Sequence, residues 1–146
     1  MNEVHATSER SLEGVLLAAA RMLLSVPFIC GGIQNLLSYG GFVGYLASKG
    51  MPIPSVLAAP SIATDLIGGL LLVFGFRLRL VAPYLALYTL FTAFVGHPFW
   101  LLDDPMSRGE MTFQFWKNLS IAGGLLGTAF SSISAQSRVA GGRILQ

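Results

Sequence analysis

PSIATDLIGGLLLVFG, residues 60–75, is an apolar, helix-like run with a single carboxylate, Asp65, near its middle. An acid at that depth is expensive in lipid and poorly solvated in a soluble core. What surrounds Asp65 therefore decides what kind of protein this is. The rest of the chain answers half of that question through its composition. Of 146 residues, 53% are apolar and 11% are charged, against about 25% charged in an ordinary soluble domain. Nine basic and seven acidic residues are too few to coat a globular surface. The sequence reads as one membrane domain over residues 1–146.

Other classes recede on the same grounds. A net charge of +2 with no basic patch does not suit a nucleic-acid partner. The single cysteine, Cys30, permits no internal disulfide, redox pair or cysteine-rich metal site. The two histidines, His5 and His97, fall on opposite sides of the expected membrane, so no metal site is expected. Any redox role is borrowed from a partner protein or a bound small molecule.

Four spans are expected, at about 14–37, 56–76, 80–96 and 113–133, with short cytoplasmic tails at 1–12 and 135–146. Each is close to the ~20 residues a helix needs to cross a bilayer core. Lipid cannot satisfy open backbone groups, so an all-α bundle of four transmembrane helices in the lipid bilayer is the natural fold. Phe42, Tyr45 and Leu46 recur at helical spacing in the first outer loop, which predicts a short interfacial helix ended by Gly50 and Pro52. Pro27 is expected to kink the first span. Arg10, Arg77, Arg79, Arg138 and Arg143 share one side, against Lys49 and Arg108 on the other, which places both termini in the cytoplasm. Trp100 and Trp116 suit an aromatic belt, and Asp103, Asp104 and Glu110 read as a solvated loop.

Helix phase assigns the ionisable groups to an interior. Arg21 shares a face with Ser25, Phe28, Gly32 and Asn35; Asp65 shares one with Ala58, Ser61, Gly68, Gly69 and Leu72. Lys117 aligns with Ser120, Gly124, Thr128 and Ser131, and the third span offers Tyr84, Tyr88 and Thr92. Counting from the expected span ends, Arg21 and Asp65 lie ~10 and ~16 Å deep. They are expected to form an intramembrane polar pair, serving either a site or helix register. Gln34, Asn35, His97, Lys117 and Asn118 fall near the outer helix ends. They make an outward-facing vestibule, with Asn35, His97, Lys117 and Asn118 as candidate ligand-binding residues. Against this, Lys117 can snorkel to the interface and His97 can be an interface residue before Pro98.

These residues carry a resemblance. An early intramembrane arginine, Arg21, precedes CGGIQNL (30–36); then come GYLASKGMP (44–52), TDLIGGLLLVFGFRLR (64–79), GHPFW (96–100) and FQFWKNLSIAGGLL (113–126). In that order, from about Ala18 to Ala129, the chain resembles the DoxX family of small four-helix membrane proteins. The family usually has glutamate where this chain has Asp65 and lysine where it has Asn35, so a site needing a second outer cation is altered here. The resemblance implies four transmembrane helices and residence in a bacterial inner membrane. A related branch resembles the membrane subunit of thiosulfate:quinone oxidoreductase, and other members are linked to membrane redox and sulfur-stress systems.

The leading expectation is therefore a non-catalytic membrane subunit or partner of a redox system, with a redox partner protein and a quinone in the vestibule. There Lys117, His97 and Asn118 would contact the quinone oxygens, while Arg21 and Asp65 orient helices or relay a proton. If enzymatic, it belongs to a quinone-linked oxidoreductase. One alternative is a small-solute carrier working as a homo-oligomer through Gly123 and Gly127, a GxxxG pair. Another is a structural or assembly protein without chemistry of its own.

Overall fold

The computed structural model describes the backbone of residues 2–144 and the side chains of residues 11–135 and 137. Among these, the chain forms five α-helices and a 3-10 turn. They are α1 (Asn2–Leu37), α2 (Tyr39–Ser48), α3 (Pro54–Phe74), α4 (Leu78–Gly96) and α5 (Pro105–Ile144), with the turn at Phe99–Leu101 before α5. The long helices α1, α3, α4 and α5 alternate in direction, and α2 bridges α1 and α3. Helix α1 packs mainly on α3 and α4 mainly on α5.

Helices α1 and α5 exceed the expected spans at 14–37 and 113–133. The segments read as tails, 1–12 and 135–146, are helical from Asn2 and as far as Ile144. The side chains of His5, Arg10, Arg138 and Arg143 lie outside the described residues. Helix α1 also continues through Pro27. Three stretches are long and apolar enough to cross a membrane: Ser11–Leu37, Pro54–Phe74 and Leu78–Leu101. The expected fourth span lies within α5, which is not among these three.

Large apolar side chains cover the outside, among them Leu23, Leu37, Phe74, Leu87 and Phe130, each more than two-thirds exposed. The interior is small by comparison. Leu72, Leu85 and Leu125, one each from α3, α4 and α5, are fully buried, and Phe28 of α1 joins them. Lipid tails are as apolar as leucine, so close packing rather than water exclusion must hold such helices together. The α1–α3 contact shows how. A Cβ on Gly32 would lie 2.8 Å from Leu66 and 3.1 Å from the Asp65 Cβ; one on Gly69 would lie 2.8 Å from Ile29 and 3.2 Å from Phe28. Only glycine lets the two backbones approach so closely. By contrast, Gly123 and Gly127 face open space.

Turn chemistry sets the helix ends. Gly50 and Gly75, both at φ 72°, end α2 and α3 in the left-handed conformation that a side chain disfavours. After α3, the Phe76 N–H returns to the Leu71 carbonyl at 2.9 Å. Asp104 is the N-cap of α5: its carboxylate accepts from the Ser107 N–H at 2.8 Å, and Pro105 occupies the first helical position. One member of the acidic loop cluster thus has a structural task. Trp100 and Trp116 both join a ring cluster around the buried Phe115.

Two outcomes follow for stability in detergent. Gly69→Ala should cost about 1–3 kcal/mol by forcing α1 off α3, whereas Gly123→Ala should be neutral or slightly stabilising in thermal unfolding of the monomer. The Ser107 amide and hydroxyl hold the Asp104 carboxyl below its ordinary value. Its contribution is therefore present above the unfolded value of about 3.9 and is lost as pH falls. Asp104→Ala should lower Tm near neutrality, and the gap to the parent should close on acidification below about pH 4.

Candidate functional site

A cavity of about 310 Å³ opens among α1, α3, α4 and α5 at the end covered by α2. Its size suits a small ligand or the head of a larger one. The walls are apolar, built from Pro27, Phe28, Phe42, Leu57, Phe91 and Val95. Polar groups sit at two levels. Deep in the cavity, Asp65 and Ser61 are one turn apart on α3 and face Tyr88 and Thr89 of α4. The Tyr88 hydroxyl donates to the Ser61 carbonyl at 3.5 Å and stands beside the Asp65 carboxyl. Nearer the mouth are Asn35, Lys49, His97 and Asn118.

Thr89 is the unusual member. Its side chain is 4% exposed, and its hydroxyl has no hydrogen-bond partner. A helical threonine ordinarily bonds a carbonyl one turn back, as Thr128 does to Gly124 at 3.0 Å. An orphaned buried hydroxyl costs about 1–3 kcal/mol, so this group is carried at some expense.

The lid is held by side chains. From α2, the Tyr45 hydroxyl donates to the Gly96 carbonyl at the end of α4, 3.4 Å away. The Tyr39 hydroxyl donates to the Ser55 carbonyl of α3 at 2.8 Å. Lys49 lies over the Tyr45 ring, 5.5 Å from its centroid. Tyr45, 42% exposed, also closes part of the cavity itself.

The structure brings three of the four expected ligand-binding residues, Asn35, His97 and Asn118, into this one cavity. Lys117 is exposed, does not line it, and bonds Gln114 on its own helix. It still stands within electrostatic range of the His97 ring, as does Lys49. The Nδ1 of His97 contacts the Met111 sulfur at 3.5 Å. Lys49 and Thr89 are additions that sequence reasoning missed. Thr89 lies on a face already marked by Tyr88 and Thr92, so the signal for it was present; Lys49 enters only because α2 folds back.

Arg21 and Asp65 are not brought together. Helices α1 and α3 run antiparallel with Gly32 against Asp65, Phe28 and Ile29 against Gly69, and Arg21 against Gly75. The residue facing Asp65 is thus Gly32, ~16 Å along α1 from Arg21. The Arg21 guanidinium lies at the α3–α4 turn, where a Cβ on Gly75 would be 3.3 Å from its Cζ. The carbonyls that end α3 suit a cation there. The two groups line separate cavities.

Comparison with known proteins agrees with this helical, lipid-facing architecture. The DoxX family model matches residues 16–98. The chain belongs to the DoxX family. It is 37% identical over 112 residues to inner membrane protein YphA of Escherichia coli (strain K12), covering 77% of this chain and 79% of that one. Over 128 residues it is 33% identical to inner membrane protein YqjF of the same organism, covering 88% and 92%. No solved structure matches it. This DoxX protein is an integral inner membrane protein whose family-matching segment includes most of the cavity's lining.

Separate placement of the two charges has a measurable consequence. In a double-mutant cycle of Arg21→Gln and Asp65→Asn, followed by unfolding in detergent, the effects should add with a coupling below about 0.5 kcal/mol. A directly paired arrangement would give a larger coupling, because either single change would strand the other charge.

Proposed function

We propose that this DoxX protein is the membrane subunit of a redox system, holding a quinone head group in the α2-covered cavity while a partner protein exchanges electrons with it. In this reading α5, which packs along the apolar α4, is the fourth span. Both termini are cytoplasmic, α2 lies at the outer interface, and the cavity opens outward. The sequence excess of Arg10, Arg77, Arg79, Arg138 and Arg143 over Lys49 and Arg108 supports that orientation.

The observation that carries the proposal is the pairing of apolar walls with polar side chains at two levels, Ser61, Asp65 and Tyr88 inside and Asn35, His97 and Asn118 near the mouth. A quinone ring is flat and apolar on both faces, with an acceptor oxygen at each end, and the donors among these side chains match that pattern. The Tyr88 hydroxyl would hold the inner oxygen; Asn118 and His97 would hold the outer one. A quinone bound there supplies a two-electron, two-proton couple. Asp65, touching the Tyr88 hydroxyl, can hold a proton next to the inner oxygen, and the mouth residues can pass one to the outside. The apolar walls and α2 limit water at the ring, while Cys30 lies outside this cavity.

A second reading, a carrier working as an oligomer, takes its support from the open face of α5 at Gly123 and Gly127, where another copy could approach closely.

The test is direct binding of decyl-ubiquinone to the protein in lipid nanodiscs, read by tryptophan fluorescence, with extraction to count co-purified quinone. Saturable binding should weaken by up to about tenfold in Tyr88→Phe, the loss of one hydrogen bond, and should also weaken in Asn118→Ala. No saturable binding and no retained quinone would overturn the reading.

A further inference from the structure

The outer face of the α3–α4 contact carries an apolar groove of about 550 Å³. Pro60, Ala63, Thr64 and Ile67 of α3 form one bank, and Leu80 and Tyr84 of α4 form the other. Ile67, Leu80 and Tyr84 are each more than half exposed, on helices long and apolar enough to span a membrane, so the groove opens toward lipid. The α2-covered cavity lies directly behind it. Pro60 and Thr64 line the groove, while their neighbours in sequence, Ser61 and Asp65, line the cavity. Tyr84 and Tyr88, one turn apart on α4, divide between the two spaces in the same way.

The wall between groove and cavity is thin and held by hydroxyls. The Tyr84 hydroxyl and the Thr64 Oγ1 are hydrogen-bonded at 3.1 Å. The Tyr88 hydroxyl reaches the Ser61 carbonyl at 3.5 Å, the outer limit for such a bond. Toward the α3–α4 turn the helices pack tightly instead, since a Cβ on Gly68 would lie 2.7 Å from Leu85. Pro60 also removes one backbone donor from α3 beside the groove. The contact is thus firm at the turn end and soft beside the cavity. Parting two tyrosine hydroxyls from α3 joins the two spaces and leaves the close packing intact.

Phe91 shows that the cavity already reaches the lipid on this side. It shares a helix face with Tyr84 and Tyr88, lines the cavity and is 56% exposed. On the α1–α5 side, by contrast, Leu24 fills the space in front of Gly124, 3.0 Å from where a Cβ would stand. A molecule with a long apolar chain reaches such a cavity from the bilayer, because the cost of drawing the chain through water grows with every methylene.

Resting on the quinone reading and extending it, we propose that the α3–α4 groove is the membrane entrance of the α2-covered cavity and the subsite for its ligand's tail. The ligand is an amphiphile. Its head ring passes between the two tyrosines and their α3 partners, and its alkyl or isoprenoid chain stays in the groove against Ala63 and Ile67. Lipid chains are as apolar as the groove, so the tail is held by packing and not by exclusion from water. Its role is to fix where the head ring stops.

The experiment uses the full chain in phosphatidylcholine nanodiscs and a decyl-ubiquinone carrying a diazirine at the end of its tail. Photolysis and peptide mapping locate the tail, while tryptophan fluorescence reads head binding separately. The label is expected on α3 and α4 around Ala63, Ile67 and Leu80, and is suppressed by excess decyl-ubiquinone. It should be lost in Ala63→Phe, whose ring fills the groove at an exposed position. A tailless dimethoxy-methyl-benzoquinone should bind the parent and Ala63→Phe equally. Saturable head binding with the label on α1 or α5, or with groove labelling unchanged in Ala63→Phe, overturns the tail subsite and leaves the quinone reading standing. Absence of saturable binding by either quinone overturns both.

Discussion

The close antiparallel contact between α1 and α3 is the constraint on which the rest of this structure depends. Gly32 and Gly69 allow it, and it fixes which residue of one helix faces which of the other. In that register Asp65 faces a glycine, and space remains beside it for a cavity. The same register carries Arg21 to the α3–α4 turn, where the end of α3 and the start of α4 meet. The acid and the base are kept at different depths, so each conditions a different cavity. A slip of α1 by three turns would pair them and abolish both.

This separation gives the molecule two chemically distinct ends. At the α2 end, neutral polar groups, one carboxyl, the Lys49 side chain at the mouth and apolar walls surround a modest volume. Such a lining suits an uncharged, lipid-soluble ligand that needs orientation more than charge neutralisation. The other end is larger, lined by arginines and flanked by exposed phenylalanines. Membership of the DoxX family places the chain in the inner membrane without assigning chemistry to either end. The chemistry argued for the α2 end rests on its side chains.

Much of the fold was legible because lipid imposes simple rules on sequence. Apolar length located α1, α3 and α4, and helix phase turned Ser25, Phe28, Ala58, Gly69 and Leu72 inward, all of which are buried. Position along the helix was enough to bring Asn35, His97 and Asn118 together. What escaped was whatever depends on register between helices. Depths counted from span ends put Arg21 and Asp65 side by side, but α1 is longer than its apolar run, so its true offset against α3 was hidden. The same holds for Lys49, whose place follows from how α2 folds back over the bundle. The start of α5 was written plainly in Asp104–Pro105, an N-cap followed by a first-turn proline, yet the acidic cluster around it read as a loop.

The α1–α3 register can be measured directly by cysteine cross-linking in native membranes, in a Cys30→Ala background. A Cβ at Gly32 lies 3.1 Å from that of Asp65, which a backbone shift of about half an ångström brings into disulfide range of about 3.5–4.5 Å. The pair Gly32→Cys with Asp65→Cys should therefore cross-link rapidly under mild oxidation, while Arg21→Cys with Asp65→Cys should remain reduced. Efficient cross-linking of the second pair and none of the first would contradict the register, and with it the division of the molecule into two ends.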